Sequence, residues 1–277
     1  MSYPKFKDLD VVWDLPVGCG EWDHIVRVLQ QLEGHLVPLH FSDRFIFLIT
    51  SQSEIPNICH DLPAVVYQIN DRAHTIPSYF DDIFMLFKNY VPLEPTPTNV
   101  CSLPIGCNKN IPDLDVKLMI DRNIDLFFMG RMDNREDFFA TMNKRFLSGI
   151  EAENIMIEKS DQMQYHEYAN NISQAKLALC PGGLSNDTFR IYEAMRSGCI
   201  VIVPRQIPAW YNSGWPIIEL DDWSELKPIA NSLLNDLSKL QELSIQTRLW
   251  WENKCSEEAV ARYIAYELSL RVMRNSI

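Results

Sequence analysis

Between Leu177 and Val203 the chain reads LALCPGGLSNDTFRIYEAMRSGCIVIV, and this stretch carries the side chains best suited to hold an anion. Arg190 and Glu193 stand three residues apart, on one face if the segment is helical. Pro181-Gly182-Gly183 precedes them, a turn that lets backbone approach a ligand because two of its residues lack side chains. Ser185, Asn186 and Asp187 are each competent to cap a helix start. Gly198 predicts the helix end, since only glycine takes the left-handed position there cheaply. An anion so placed would meet backbone N–H groups, the positive end of a helix dipole and a guanidinium. Spacing alone fits two readings. One is such a site; the other is a solvent-exposed i,i+3 salt bridge contributing about 0.2–0.5 kcal/mol. The loop matches neither GxGxxG nor GxxxxGK(S/T), so neither a dinucleotide fingerprint nor a P-loop is supported.

The elements that must position these residues are two strands, AKLALC and CIVIV, with a helix between them. Such a βαβ unit crosses over right-handed, and open α/β sheets bind ligands at the carboxyl ends of their strands. Strand and helix patterns alternate along nearly the whole chain, which predicts an α/β fold with parallel sheets. DVVWDLPV reads as a strand, followed by a glycine turn and a helix ended by Gly34. Ile25, Val28, Leu29 and Leu32 make that helix's apolar face. FIFLIT, AVVYQI, DIFMLFK and VCSLPI follow as strand-like runs. The proline-rich VPLEPTPTNVCSLPIGCNKNIPDLD connects two halves, giving an N-terminal domain over residues 1–112 and a second over 113–255. In the second half IDLFFMG and ENIMIEK read as strands, and NREDFFATMNKRFL and DQMQYHEYANNISQ as helices. The region after IIEL is helical, and residues 256–277 are expected to pack back across the N-terminal domain through Val260, Tyr263, Ile264, Leu268 and Val272.

Composition narrows the partners. The 277 residues carry a net charge of −12, with 47% hydrophobic and 22% charged residues. A nucleic-acid backbone or an anionic membrane needs a basic face, so no nucleic-acid partner and no membrane insertion are expected. No run approaches the roughly 20 apolar residues of a membrane span, and MSYPKFKDLDVVWDL lacks the apolar core of a signal peptide. The seven cysteines are odd in number and show no CxxC spacing, which favours small buried hydrophobes in a reduced compartment over a zinc site. The chain reads as soluble and cytoplasmic.

The segment ALCPGGLSNDTFRIYEAMRSGCIVIV resembles the signature of exostosin-like glycosyltransferases. There a Cys-Pro-x-Gly loop leads into an Arg-x-x-(Glu/Asp)-Ala helix and then Gly-Cys-(Ile/Val)-x-Val-Ile. LFFMGRMDNREDF is similar to that family's Phe-x-Gly-x-x-x-x-Arg segment, and ELDDWSEL to its later Asp-Trp element. The likeness runs from about Phe127 to Leu226 and is loose before that. It implies a GT-B architecture, two Rossmann-like domains with parallel sheets facing a central cleft, and transfer from a nucleotide sugar with inversion at the anomeric carbon. By position it assigns Arg190 to the donor diphosphate and Glu193 to the ribose hydroxyls. Gly130 with Arg131 or Arg135 would form the phosphate-facing edge, beside Pro181, Gly182, Gly183, Ser185 and Asn186. Fixed cations would stabilise the charge gathering on the leaving diphosphate. Lys176, Arg131, Arg135, Arg190 and Arg205 all fall near strand–helix junctions and are expected to form a local basic pocket. No DxD triplet occurs, and Asp81-Asp82 and Asp221-Asp222 read as solvated turns, so no obligatory metal or other cofactor is expected.

An inverting transferase needs a base for the acceptor hydroxyl. The N-terminal half offers Asp14, Glu21, Asp23 and His24 after its first strand, and Asp71 and His74 after VVYQI. Glu21, Asp23 and His24 are favoured because a glycine-flanked turn brings side chains close to a substrate. Each has a plainer alternative, such as Asp23 as a first-turn carboxylate or Asp71 paired with Arg72. The function these readings imply is transfer from a UDP-sugar, of the xylose, glucuronate, N-acetylglucosamine or galactose class, to a hydroxyl of an oligosaccharide or glycan. A non-catalytic nucleotide- or glycan-binding module of the same fold is the alternative, and a Rossmann-type oxidoreductase a more distant one. Trp13, Trp22, Trp210 and Trp215 are candidates for stacking on sugar faces, with core packing as the competing role.

Overall fold

The computed structural model describes residues 3–39, 41, 43–54, 61–70, 74–108, 110–160 and 164–275. It divides into two compact units: Met1–Lys109 with Pro208–Tyr211 and Lys254–Ile277, and Asn110–Ile207 with Asn212–Asn253.

The first unit is built on five parallel strands in sequential order, β1 (Asp10–Asp14), β2 (Ile46–Thr50), β3 (Ala64–Gln68), β4 (Met85–Lys88) and β5 (Val100–Ser102). Burial of β2, β3 and β4 on both faces explains why they read as near-continuous apolar runs. One face packs Phe47, Ile49, Val65, Met85 and Phe87 against helix α1 (Trp22–Leu36) and the C-terminal helix α8 (Glu257–Asn275). The other packs Leu48, Val66, Leu86 and Val100 against Tyr79 and Ile83. Helix α1 runs two residues past Gly34, which was expected to end it. Leu36 extends the apolar stripe and is 0% exposed. Its burial, about 1.5–3 kcal/mol, outweighs the ~1 kcal/mol that a mid-helix glycine costs.

The second unit holds a five-stranded sheet of β6 (Ile124–Gly130), β7 (Ile155–Lys159), β8 (Ala175–Leu179), β9 (Ile200–Pro204) and β10 (Ile218–Leu220), in the order β10-β9-β8-β6-β7. All its pairings are parallel. The chain places β7 on one side of β6 and β8 on the other, so connections diverge between the carboxyl ends of β6 and β8. That is the switch point at which open α/β sheets take ligands. Helices α2 (Glu136–Thr141), α3 (Lys144–Leu147), α4 (Tyr165–Ser173), α5 (Phe189–Arg196), α6 (Leu226–Leu234) and α7 (Leu237–Trp250) complete the unit. The single helix expected over NREDFFATMNKRFL is two, because the Asn143 side chain accepts from the Phe146 amide at 3.0 Å and starts a new turn.

Candidate functional site

Strand β8 ends at Leu179, and Cys180 and Pro181 remain buried as the chain turns through Gly182 and Gly183. The helix begins later than expected. Ser185, Asn186 and Asp187 lie before it, and Thr188 is the N-cap of α5 without a side-chain capping bond. The three polar residues satisfy one another and the neighbouring loop instead. Ser185 Oγ accepts from the Asp187 amide at 3.2 Å, Asn186 Nδ2 donates to the Arg205 carbonyl at 3.0 Å, and Asp187 Oδ1 accepts from the Tyr192 hydroxyl at 2.8 Å. Gly198 does sit past the helix end with φ +68°. A Cβ there would also lie 2.8 Å from Val116.

Arg190 reaches back from the first turn of α5 to the end of β6. Its Nη2 donates to the Met129 carbonyl at 2.8 Å, and its guanidinium lies 4.7 Å from the Phe128 ring centroid. Gly130 is what admits it, since a Cβ at that position would come within 2.4 Å of Nη2. Among the described residues, Arg190 Nε is buried without a hydrogen-bond partner. Arg135, at the N-cap of α2, converges from the other side, donating to the carbonyls of Arg131 and Pro181 at 3.1 and 3.5 Å. Burial and the nearby Arg190 charge push the Arg135 guanidinium down to about 10. Two like charges are thus gathered at one sheet edge, an arrangement that favours a polyanion between them.

Glu193 does not form the exposed salt bridge that spacing allowed. It is 3% exposed, and its Oε2 accepts from the Tyr168 hydroxyl at 2.7 Å. A cleft of about 280 Å³ opens past the carboxyl ends of β8, β9 and β10. Arg135, Pro181, Gly182, Gly183 and Asn186 line it together with Asp221, Asp222 and Trp223. A larger hollow of about 410 Å³, lined by Lys7, Asp8, Asp10 and Asp43, lies at the amino edge of the first sheet, the wrong edge for a parallel-sheet ligand.

The basic pocket is smaller than expected. Lys176 sits at the amino end of β8 and pairs with Asp125 at 2.8 Å, on the opposite edge of the sheet. Lys176, Asn154 and Glu153 hold the Asp125 carboxyl below its ordinary value although burial works the other way. Arg205 pairs with Asp221 at 2.7 Å on the surface, with both side chains 67% exposed. Arg131 is exposed and contributes its carbonyl. Arg135 and Arg190 are the two cations that converge. Asp222 caps a short 3-10 turn, accepting from the Ser224 amide at 2.7 Å. Among the described residues no group of three or more His, Cys, Asp or Glu side chains could hold a metal ion.

In the first unit, Glu21 and His24 are buried, 5% and 3% exposed, where α1 begins. Asp23 lies half-buried in the first turn of α1. His24 packs face-on to Gly106, whose φ is +72° and whose Cβ, if present, would fall 2.3–2.4 Å from the ring. Its Nδ1 stands 3.5 Å from Glu257 Oε1 at the start of α8, an ion-pair distance rather than a tight hydrogen bond. Burial works to raise the Glu257 carboxyl, yet His24 and Arg27 together bring it down to about 2. The Tyr67 hydroxyl, pushed up by burial, feels both Glu21 and Glu257. Glu257 and Tyr67 escaped the sequence reading because each lies in an element recognised only by its apolar stripe. His74 is elsewhere, on a loop with φ +56°, its Nδ1 2.8 Å from the Val91 carbonyl. Asp71 lies outside the described residues.

The last in-register row of the first sheet is polar on every strand: Asp14, Thr50, Gln68, Lys88 and Ser102. Thr50 Oγ1 donates to Asp14 Oδ2 at 2.6 Å, and Lys88 Nζ to the Tyr90 carbonyl at 2.9 Å. Asn70, His74 and Tyr90 beyond these strands all have positive φ, a concentration of backbone strain at the carboxyl edge. The tryptophans mostly serve packing. Trp13 and Trp22 lie 4.8 Å apart, Trp210 stacks on Tyr263 at 3.9 Å, and Trp215 Nε1 donates to Glu219 at 3.0 Å.

Residues 134–266, just under half of the chain, match the family of RXYLT1 C-terminal domains. No curated protein sequence matches the chain. A chain of the GtfA/B complex superposes with TM-score 0.50 at 10% identity, covering 86% of this chain and 60% of its own. The present chain therefore spans about three fifths of that relative. An α-glucosyltransferase solved with UDP and a 13-mer DNA containing an HMU base superposes with TM-score 0.53 at 10% identity, covering 95% of this chain and 100% of its own. The architecture, two parallel five-stranded sheets with helices, is that of the GT-B glycosyltransferases. No helix among the described residues is long and apolar enough to cross a membrane.

Proposed function

We propose that this protein is an inverting glycosyltransferase that takes a sugar from a UDP-sugar and passes it to a hydroxyl of a glycan, and that its second unit holds the donor. The convergence of Arg135 and Arg190 on the switch point of the second sheet carries this reading. As the bond from the anomeric carbon to the diphosphate oxygen breaks, the departing UDP gains charge where the two guanidiniums are already fixed. Gly130 makes room for the Arg190 guanidinium, the Pro181–Gly183 turn brings backbone close to the phosphates, and Glu193 accepts from the ribose hydroxyls. The acceptor oxygen forms its bond on the opposite face of the sugar while losing its proton to a base. Glu21, Asp23 and His24 are the groups proposed for that base, and no metal is assigned a part. The exostosin-like resemblance and the RXYLT1 match overlap on this donor unit. The latter is a ribitol xylosyltransferase family, which puts UDP-xylose first among the donors to screen, ahead of the glucuronate, N-acetylglucosamine and galactose derivatives.

The burial of Glu21 and His24 favours a second reading, a module of the same fold that binds nucleotide or glycan without turnover. One experiment separates the readings. Saturating UDP at about 100 times its Kd should stabilise the wild type by roughly 2.7 kcal/mol, visible as a raised thermal midpoint, and Arg190→Ala should abolish the shift. UDP-xylose consumption in the presence of glycan acceptors then distinguishes enzyme from module. No shift with any nucleoside diphosphate would sink the transferase and the nucleotide-binding module together, leaving a glycan-binding module alone.

A further inference from the structure

Glu193 is a carboxylate on α5, 3% exposed, and burying such a group is costly unless it is hydrogen-bonded. Tyr168 supplies one from a different helix. The tyrosine is 0% exposed, its ring lies 5.7 Å from that of Phe127 on β6, and its hydroxyl donates to Glu193 Oε2 at 2.7 Å. Burial, followed by the Glu193 charge, pushes the phenol well above its ordinary value, so it remains a donor through the working pH range. The same carboxylate acts on the Cys180 thiol at the start of the Pro-Gly-Gly turn, as do Arg190 and Arg135. Tyr168, Glu193 and the two arginines therefore belong to one electrostatic group.

We propose that Tyr168 is a positioning residue that orients the Glu193 carboxylate toward the ribose hydroxyls of the donor, and so sets the preference for a ribonucleoside over a 2′-deoxyribonucleoside diphosphate. This rests on the reading of the second unit as a UDP-sugar site. A fully buried phenol beside the Phe127 ring fixes the carboxylate plane, whereas a carboxylate held only by solvent would sample several rotamers. Directional hydrogen bonds to two vicinal hydroxyls reward the fixed state.

The test measures Kd for UDP, 2′-deoxy-UDP and inorganic pyrophosphate in the wild type, Tyr168→Phe and Arg190→Ala. The wild type should prefer UDP over its 2′-deoxy analogue by about tenfold, the ratio that a lost hydrogen bond to a charged group produces. Tyr168→Phe should reduce that ratio at least threefold and leave pyrophosphate binding within twofold. A merely structural role for Tyr168 would weaken all three ligands together, and an unchanged UDP to 2′-deoxy-UDP ratio would overturn the proposal. Should Tyr168→Phe fail to fold, the wild type labelled with ¹³Cζ-tyrosine decides. The Tyr168 resonance should shift with UDP and stay in place with pyrophosphate; equal shifts, or none, would reject the assignment. A wild type that binds neither UDP nor pyrophosphate removes the donor-site reading and this inference together. Binding lost in Arg190→Ala, without ribose discrimination in the wild type, removes this inference alone.

Discussion

The guanidinium of Arg190 fills the space that a side chain at Gly130 would need: a Cβ built there falls 2.4 Å from Arg190 Nη2. Gly130 on β6 and Arg190 on α5, 60 residues apart in sequence, are fitted to one another at the point where the donor diphosphate is proposed to bind.

Gly130→Ala tests that fit. The obstructing atom is the mobile end of a long side chain, so the added methyl should displace Arg190 rather than unfold the strand. Thermal stability should stay within about 1 kcal/mol of wild type. UDP affinity should fall about tenfold or more as the guanidinium leaves its seat. Calorimetric titration reads the affinity, and wild-type binding in Gly130→Ala would show that Arg190's position is irrelevant to the ligand.

Gly106 poses a different problem in the first unit. Its φ of +72° and the His24 ring 2.3–2.4 Å from a Cβ act together. Gly106→Ala should therefore destabilise by the left-handed cost, roughly 1–2 kcal/mol, and by a steric contribution of similar size. Adding His24→Ala should relieve the steric part and leave the backbone part. A denaturant double-mutant cycle measures this coupling. Additive losses would mean that the ring and the glycine do not constrain each other.

Acid stability should register Glu257. Its folded-state value is depressed to about 2, against an ordinary 4.5. A depressed carboxyl contributes stability that is fully present above the unfolded value and disappears as pH falls through the folded one. Chemical denaturation between pH 6 and pH 2 should thus show stability falling below about pH 4.5, and Glu257→Gln should flatten that fall. An identical pH profile in the variant would remove Glu257 from the cause.

Much of this was legible in the linear chain. Strands β2, β3, β4, β6, β8 and β9 coincide with apolar runs picked out in the sequence, because strands buried on both faces leave no polar alternation to confuse the reading. Leu36 beyond Gly34 and the break at Asn143 were not legible, since a buried leucine and a local side-chain bond override propensity only when the packing partners are known. The position of Arg190 and Glu193 on one βαβ unit was also readable, from the Pro-Gly-Gly turn and the spacing on the helix.

The sequence by itself determined the α/β class, the parallel sheets and the βαβ unit that carries Arg190 and Glu193, all of which depend on residue type and short-range periodicity. Tertiary structure alone decided which charges meet. It sent Lys176 to the far edge of its sheet, tied Arg205 to Asp221, and brought Arg135 to Arg190 and Tyr168 to Glu193. The physical reason is range. A hydrophobic stripe is written within a few turns of chain, whereas a charge acts on whatever neighbour the crossover connections deliver, and those neighbours lie tens of residues away.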